Sequence, residues 1–248
     1  MTGLMVGKVA LVTGAGSGIG RAIAQHFAQE GVKVVVADCS KEGGEQTVDL
    51  IRNAGGEASF IKIDVSNEGD VQKMVQYCLD NYGSLNFAVN NAGTNGPIGP
   101  LIDVKVEDYD QVIAVNMRSV FLGLKYEVRQ MLQQGGGVIV NTASIGGLIG
   151  TPGLIPYTAS KHGVIGLTRT CALEYAKNNI RINAICPGLV ETPLTDHPEI
   201  KQQLRATIPM DRFGTTDEIA AMVVFLCSDA AAFITGAVIP VDGGTTAA

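Results

Sequence analysis

The segment Thr13-Gly14-Ala15-Gly16-Ser17-Gly18-Ile19-Gly20 leaves this chain the fewest choices. It follows the β-branched run Val9–Val12 and opens the helix-period stretch Arg21 to Glu30. Glycines let a backbone turn sharply, admit a pyrophosphate at close range and present helix N-terminal N–H groups to its charge. Strand, glycine turn and helix in succession are the setting in which such a turn binds a dinucleotide, although the spacing is T-G-x-x-x-G-x-G and not G-x-G-x-x-G. Gly14, Gly16, Ser17, Gly18, Ile19 and Gly20 are the candidate cofactor residues. Asp38 follows the second strand-like run, where a carboxylate grips a ribose 2′-hydroxyl and repels a 2′-phosphate. Position 17 is Ser and position 39 is Cys, so no Arg stands ready for that phosphate, with Lys41 the nearby cation. The expected cofactor is NAD.

The same alternation continues along the chain. Val9–Val12, Val34–Ala37, Ser59–Ile63, Phe87–Val89, Val138–Asn141, Arg181–Ile185 and Val238–Val241 read as strands between helix-period segments. The fold class expected is α/β, a doubly wound parallel sheet of seven strands with helices on both faces, a Rossmann-type architecture. Two long helices are expected, over about Val106 to Gln133 and Pro156 to Lys177, the first stopped by Gly135-Gly136-Gly137. Residues 188–212 break the rhythm with Pro193, Pro198 and Pro209 and no strand, which reads as a substrate lid. A length of 248 residues suits one domain spanning 1–248.

Composition removes several classes of function. A net charge of −6 without a dense Lys/Arg run opposes a nucleic-acid partner. No apolar stretch approaches the roughly 18 residues of a membrane span. The first seven residues do not read as a signal sequence, so a cytoplasmic location is expected. Five cysteines without a C-x-x-C pair read as reduced thiols, and Cys186 reads as a small apolar filler. His26, His162 and His197 have no metal-ligand spacing, no H-E-x-x-H exists, and no G-x-S-x-G elbow follows a strand, so no metal is expected.

Tyr157 and Lys161 stand four apart at an expected helix start, on one face. A tyrosine near pKa 10 is a poor base at neutral pH, but an adjacent ammonium favours its phenolate. Ser144, just after the strand Val138–Asn141, can hydrogen-bond a substrate oxygen as its charge changes. Asn116, in the preceding helix, has an amide that donates and accepts and can hold a water in a proton relay. Taken one at a time these readings are weak, and position carries them: all lie at the carboxyl edge of the sheet.

In order and at family-like intervals, Thr13–Gly20, Asp64-Val65, Asn90-Asn91-Ala92-Gly93, Asn116, Ser144, Tyr157-x-x-x-Lys161 and Pro187-Gly188 resemble the short-chain dehydrogenase/reductase family over nearly the whole chain. The resemblance implies the strand order 3-2-1-4-5-6-7 and a homotetramer built through the two long helices and the last strand. It makes Asp64 and Val65 adenine contacts, Asn91 a contact beside the cofactor ribose, and Val190 and Thr192 contacts of the nicotinamide amide. Gly93, Pro187 and Gly188 join the cofactor set through the shared motifs, and Tyr157 and Lys161 gain a second role beside the nicotinamide ribose. The implied reaction is hydride transfer between NAD(H) and a secondary alcohol or ketone, with Tyr157 as general acid/base. A 3-oxoacyl-[acyl-carrier-protein] reductase is the alternative, with Lys201, Arg205 and Arg212 as possible carrier contacts, and an NAD-sensing protein without catalysis is another. Leu148, Ile149, Leu154, Ile155, Leu189 and Leu194 are candidate pocket residues, or else core or subunit contacts.

Overall fold

A computed structural model describes residues 5–192 and 198–247. Its seven strands are β1 (Val9–Thr13), β2 (Lys33–Asp38), β3 (Ala58–Lys62), β4 (Phe87–Asn90), β5 (Gly137–Thr142), β6 (Ile180–Pro187) and β7 (Val238–Val241). They form one sheet in the order β3-β2-β1-β4-β5-β6-β7, as the sequence implies. Every neighbouring pair is parallel. The helices are α1 (Gly18–Gln29), α2 (Lys41–Asn53), α3 (Glu68–Tyr82), α4 (Val106–Ile113), α5 (Ser119–Gln134), α6 (Ile155–Tyr175), α7 (Pro198–Arg205) and α8 (Thr216–Cys227).

Both faces of the sheet are covered, which is why its central strands are unbroken apolar runs and not alternating ones. Ala10, Val12, Val34 and Val36 pack with α1, α2 and α8 on one face. Val9, Leu11, Val35 and Ala37 pack with α3, α5 and α6 on the other. The chain runs outward from β1 to β3 and then crosses back to β4 on the other side of β1. A crevice therefore opens beyond the carboxyl ends of β1 and β4, the place where open α/β sheets take their ligands.

Three elements differ from expectation. The long helix over Val106 to Gln133 is α4 and α5 joined by a π turn, Ala114–Arg118, that contains Asn116. Gly135, in the left-handed region at φ 88°, ends it as foreseen. The helix expected over Pro156 to Lys177 starts one residue earlier and finishes in a 3₁₀ turn, Ala176–Asn178. The 188–212 segment, read as irregular, contains α7, with Pro198 at its first position, where a missing N–H costs nothing. Part of that segment, residues 193–197, lies outside the described residues, and Leu194 with it. Its two ends are joined by a bridge between Val190 and Gly214.

Candidate active site

The glycine turn is fastened from both sides of the crevice. Thr13 Oγ1 accepts from the backbone N–H of Asn91 at 2.9 Å and of Ala92 at 3.1 Å. The Asn91 amide donates to the carbonyls of Thr13 at 3.0 Å and Gly14 at 3.4 Å. Space is so short that a side chain at Gly20 would lie 2.2 Å from the Gly14 carbonyl oxygen. Gly14 and Gly18 have φ of 64° and 51°, a conformation glycine adopts without strain. Beyond the turn, α1 carries no acidic residue in its first turn, and Ser17 makes no side-chain cap bond. The N-termini of α2, α3 and α8, by contrast, are closed by Ser40, Asn67 and Thr215 with acidic first turns. The end of α1 thus presents uncompensated N–H groups and positive dipole to the crevice, which suits an anion.

Asp38 ends β2 beside this turn. Its Oδ2 accepts from Gly16 N–H and its Oδ1 from Ser40 N–H, both at 2.8 Å. A carboxylate has about four lone-pair positions, so two remain for hydroxyl donors. Asp64 follows β3, and Ile63 N–H donates to the Asp38 carbonyl at 3.0 Å, which brings exposed Asp64 and half-buried Val65 to the same edge. Asp64 Oδ1 accepts from Ser66 N–H at 2.9 Å and from its hydroxyl at 2.7 Å.

Across the crevice, α6 carries Tyr157, Ser160 and Lys161. Lys161 is buried, donates to the Thr142 carbonyl at 2.9 Å, and has its ammonium 5.6 Å from the centre of the Tyr157 ring. A side chain at Gly93 would press on Asn116 Oδ1 at 3.3 Å and Lys161 Nζ at 3.5 Å, so the turn after β4 meets the lysine directly. Burial pushes Lys161 down to about 8. Burial also raises the Tyr157 phenol, opposed by its hydrogen bond with Ser144. In the protein alone the phenol therefore stands above its ordinary value, against the lowering expected from the sequence. Ser144 is buried and caps the turn Ile145–Gly147, its Oγ accepting from Gly146 N–H at 3.1 Å. Burial pushes the nearby Cys186 thiol up to about 11, in keeping with an inert filler.

Asn116, expected to hold a water, bonds three protein groups. Its Oδ1 accepts from Thr94 N–H at 2.8 Å, and its amide donates to Thr94 O at 2.8 Å and to Ser160 Oγ at 3.1 Å. Ser160 in turn donates to the Tyr157 carbonyl at 2.6 Å. Both amide hydrogens are spent, so the side chain ties the loop after β4 to the helix of Tyr157. The roles of Thr94, Thr142 and Ser160 were not foreseen. Ser160, beside Lys161, was the one with a readable signal, because a hydroxyl three residues after Tyr157 lies on its face. Thr94 and Thr142 act through backbone atoms that no side-chain pattern reveals.

At the far end of the crevice, Gly188 follows β6 so closely against Asp242 that a side chain would lie 2.8 Å from its Cα. Pro187 is aligned with Val241, and Val190 is buried. Thr192 is half-buried just before the undescribed residues. Leu189, Ile208 and Met210 of the 188–212 segment line a cavity together with Val241. Leu148 packs on the core, whereas Ile149 and Ile155 are exposed. Among the described residues no group of three or more His, Cys, Asp or Glu could hold a metal ion. No described helix is long and apolar enough to cross a membrane.

Known proteins match this arrangement along almost its full length. Residues 14–246 fit the family model described as enoyl-(acyl carrier protein) reductase. Cyclohexanol dehydrogenase of Acinetobacter sp. (strain SE19) is 44% identical over 239 residues, 96% of this chain and 95% of that protein. A 3-oxoacyl-[acyl-carrier-protein] reductase of Thermotoga maritima is 42% identical over 240 residues, covering 96% and 97% of the two chains. The crystal structure of a levodione reductase superposes with a TM-score of 0.95 at 39% identity, over 98% of this chain and 99% of that one. With its sheet order, glycine turn and Tyr157–Lys161 helix, the chain belongs to the short-chain dehydrogenase/reductase family, as an oxidoreductase of alcohols and ketones that works with a nicotinamide cofactor.

Proposed function

We propose that the chain is an NAD(H)-dependent dehydrogenase and ketone reductase of compact, apolar secondary alcohols, with Tyr157 as general acid/base. The observation that carries this reading is the buried Lys161, on the same helix face as Tyr157 and against its ring. When bound, the nicotinamide supplies the acceptor or donor of hydride. Tyr157 Oη takes the proton from the substrate hydroxyl in oxidation and returns it in reduction. With the nicotinamide bound, the Lys161 ammonium would favour the phenolate and the Ser144 hydroxyl would hold the substrate oxygen. Asn116 keeps the Thr94 loop and α6 in register so that these groups meet.

The residues of the turn fit a dinucleotide: the glycines leave a cradle that a Cβ would fill, and α1 offers its open N-terminus. Gly14, Gly16, Ser17, Gly18, Ile19 and Gly20 would hold the pyrophosphate. Asp38 would take the adenosine ribose, with Asp64 and Val65 at the adenine. Asn91, Gly93, Pro187, Gly188, Val190 and Thr192 would line the nicotinamide end. The carboxylate of Asp38 supports NAD over NADP, since a 2′-phosphate would meet its charge. We further infer one domain, a lid at 188–212, a cytoplasmic location suited to five free cysteines, and a homotetramer. Phe121 and Leu132 on α5 and Leu173 on α6 support the last, as large apolar side chains left exposed in a lone subunit.

The Thermotoga relative favours a second reading, reduction of carrier-bound 3-oxoacyl groups. Two of the three cations that suggested it are neutralised: Arg205 pairs with Asp211 at 2.8 Å and Arg212 with Glu218 at 2.6 Å. Absorbance at 340 nm decides between them. Cyclohexanol with NAD should give turnover, with NAD preferred to NADP by about tenfold or more, roughly 1.4 kcal/mol. Turnover confined to NADPH and an acetoacetyl thioester would establish the second reading instead.

A further inference from the structure

A carboxyl group is buried where the reaction does not call for one. Glu127, on α5, is wholly inaccessible, and its Oε1 has no hydrogen-bond partner among the described residues. Burial pushes its carboxyl up to about 7, with Asn90 acting weakly the other way. The titratable group that feels it from a neighbouring element is the buried Cys78 thiol of α3.

Glu127 is the end of a chain of side chains. Its Oε2 accepts from Asn90 Nδ2 at 2.9 Å, and the same amide donates to Asn141 Oδ1 at 3.0 Å. Asn141 Nδ2 donates to Thr168 Oγ1 at 2.9 Å, and the Thr168 hydroxyl donates to the Val164 carbonyl at 2.8 Å. All four residues are buried, and they belong to α5, β4, β5 and α6. Asn90 lies so close to α5 that a side chain at Gly123 would fall 2.5 Å from its Oδ1. Both hydrogens of the Asn90 amide are used, one on Glu127 and one on Asn141. Without the Glu127 acceptor, one Asn90 N–H is left buried and unpaired, a cost that is relieved by a shift of Asn90 away from Asn141.

The far end of this relay reaches the catalytic helix. β5 grips α6 at two places: Asn141 holds Thr168, and the adjoining Thr142 carbonyl holds Lys161 at 2.9 Å. Positions 161 and 168 are about two turns apart and so share a face. We propose that Glu127 is a positioning residue: as terminal acceptor of the Asn90–Asn141–Thr168 relay, it seats α6 on β5 and so sets Tyr157 and Lys161 against Ser144. This rests on the functional reading above.

The test uses the full chain with cyclohexanol and NAD. Glu127→Met removes the acceptor at similar size, and Glu127→Gln keeps it. Glu127→Met should lower kcat about 10- to 100-fold, the loss that follows a small misplacement of reacting groups, with KM for NAD and the circular dichroism spectrum unchanged. Glu127→Gln should restore kcat. Thr168→Val should also lower kcat, and the double variant should lose less than the product of the single losses, because the two residues act through one network. A folded Glu127→Met with wild-type kcat, or multiplicative losses in the double variant, overturns the proposal. If Glu127→Met does not fold, Thr168→Val decides, and normal kcat in that variant overturns it. A wild-type protein inert toward every alcohol and ketone would overturn the functional reading itself, an outcome read separately from any variant.

Discussion

At the glycine turn the constraint is space, whereas beneath Tyr157 it is hydrogen-bonding capacity. A methyl group at Gly20 would meet backbone at 2.2 Å, and one at Gly16 would meet Asp38 Oδ2 at 2.8 Å. On the other side of the crevice, side chains are held by one another and by backbone carbonyls. Asn116 bonds Thr94 and Ser160, Lys161 gives one of its hydrogens to Thr142, and Asn90 bonds Glu127 and Asn141. A surface that receives an anion needs backbone N–H groups laid bare, so it is made by leaving side chains out. A surface that moves a proton needs groups at fixed distances, so it is made by tying side chains down.

The comparison can be broken from either side. Gly20→Ala should have the larger effect: the added methyl meets main chain that cannot step aside, and cofactor affinity should fall by about 100-fold or more, the upper end of overpacking costs near 3 kcal/mol. Titration with NADH, followed by its fluorescence, measures this, and unchanged affinity would mean that space does not limit the turn. The smaller effect belongs to the tied-down side. Glu127 is raised from 4.5 to about 7 in the folded protein, so the folded state holds its proton longer than the unfolded chain. Its contribution to stability is full below about pH 4.5 and is lost as pH rises through about 7. The stability difference between wild type and Glu127→Gln should therefore change by on the order of 2 kcal/mol between pH 5 and 7, in favour of wild type at the lower pH. Urea unfolding at the two pH values reads it, and a pH-independent difference would show that the carboxyl titrates as if exposed.

The two regions were also unequally legible in the amino-acid sequence. The glycine turn is contiguous, and its partners β1 and α1 flank it, so local chemistry defines it. The strands were readable because a sheet buried on both faces needs runs such as Val34–Ala37. The catalytic floor is assembled from four separate segments, and much of it is backbone: the Thr142 carbonyl that holds Lys161, and the Thr94 peptide that occupies Asn116. The π turn at Asn116 has no local signature, since its register is imposed by the packing of Thr94 and Ser160. Glu127 sits in Lys125-Tyr126-Glu127-Val128-Arg129, which reads as a solvated helix face, and its burial depends on the Asn90 network beneath it. The helix at Pro198–Arg205 was missed because Pro193, Pro198 and Pro209 made the whole of 188–212 read as irregular, and eight residues are short for a helix.

Tyr157→Phe tests the central claim most directly, because it deletes one oxygen and leaves the ring and the α6 backbone in place. With cyclohexanol and NAD, turnover at 340 nm should fall by about 10³-fold, within the range of a lost general acid/base, while NADH still binds. Near-normal turnover in that variant would contradict the account, since the proton would then be travelling by another group.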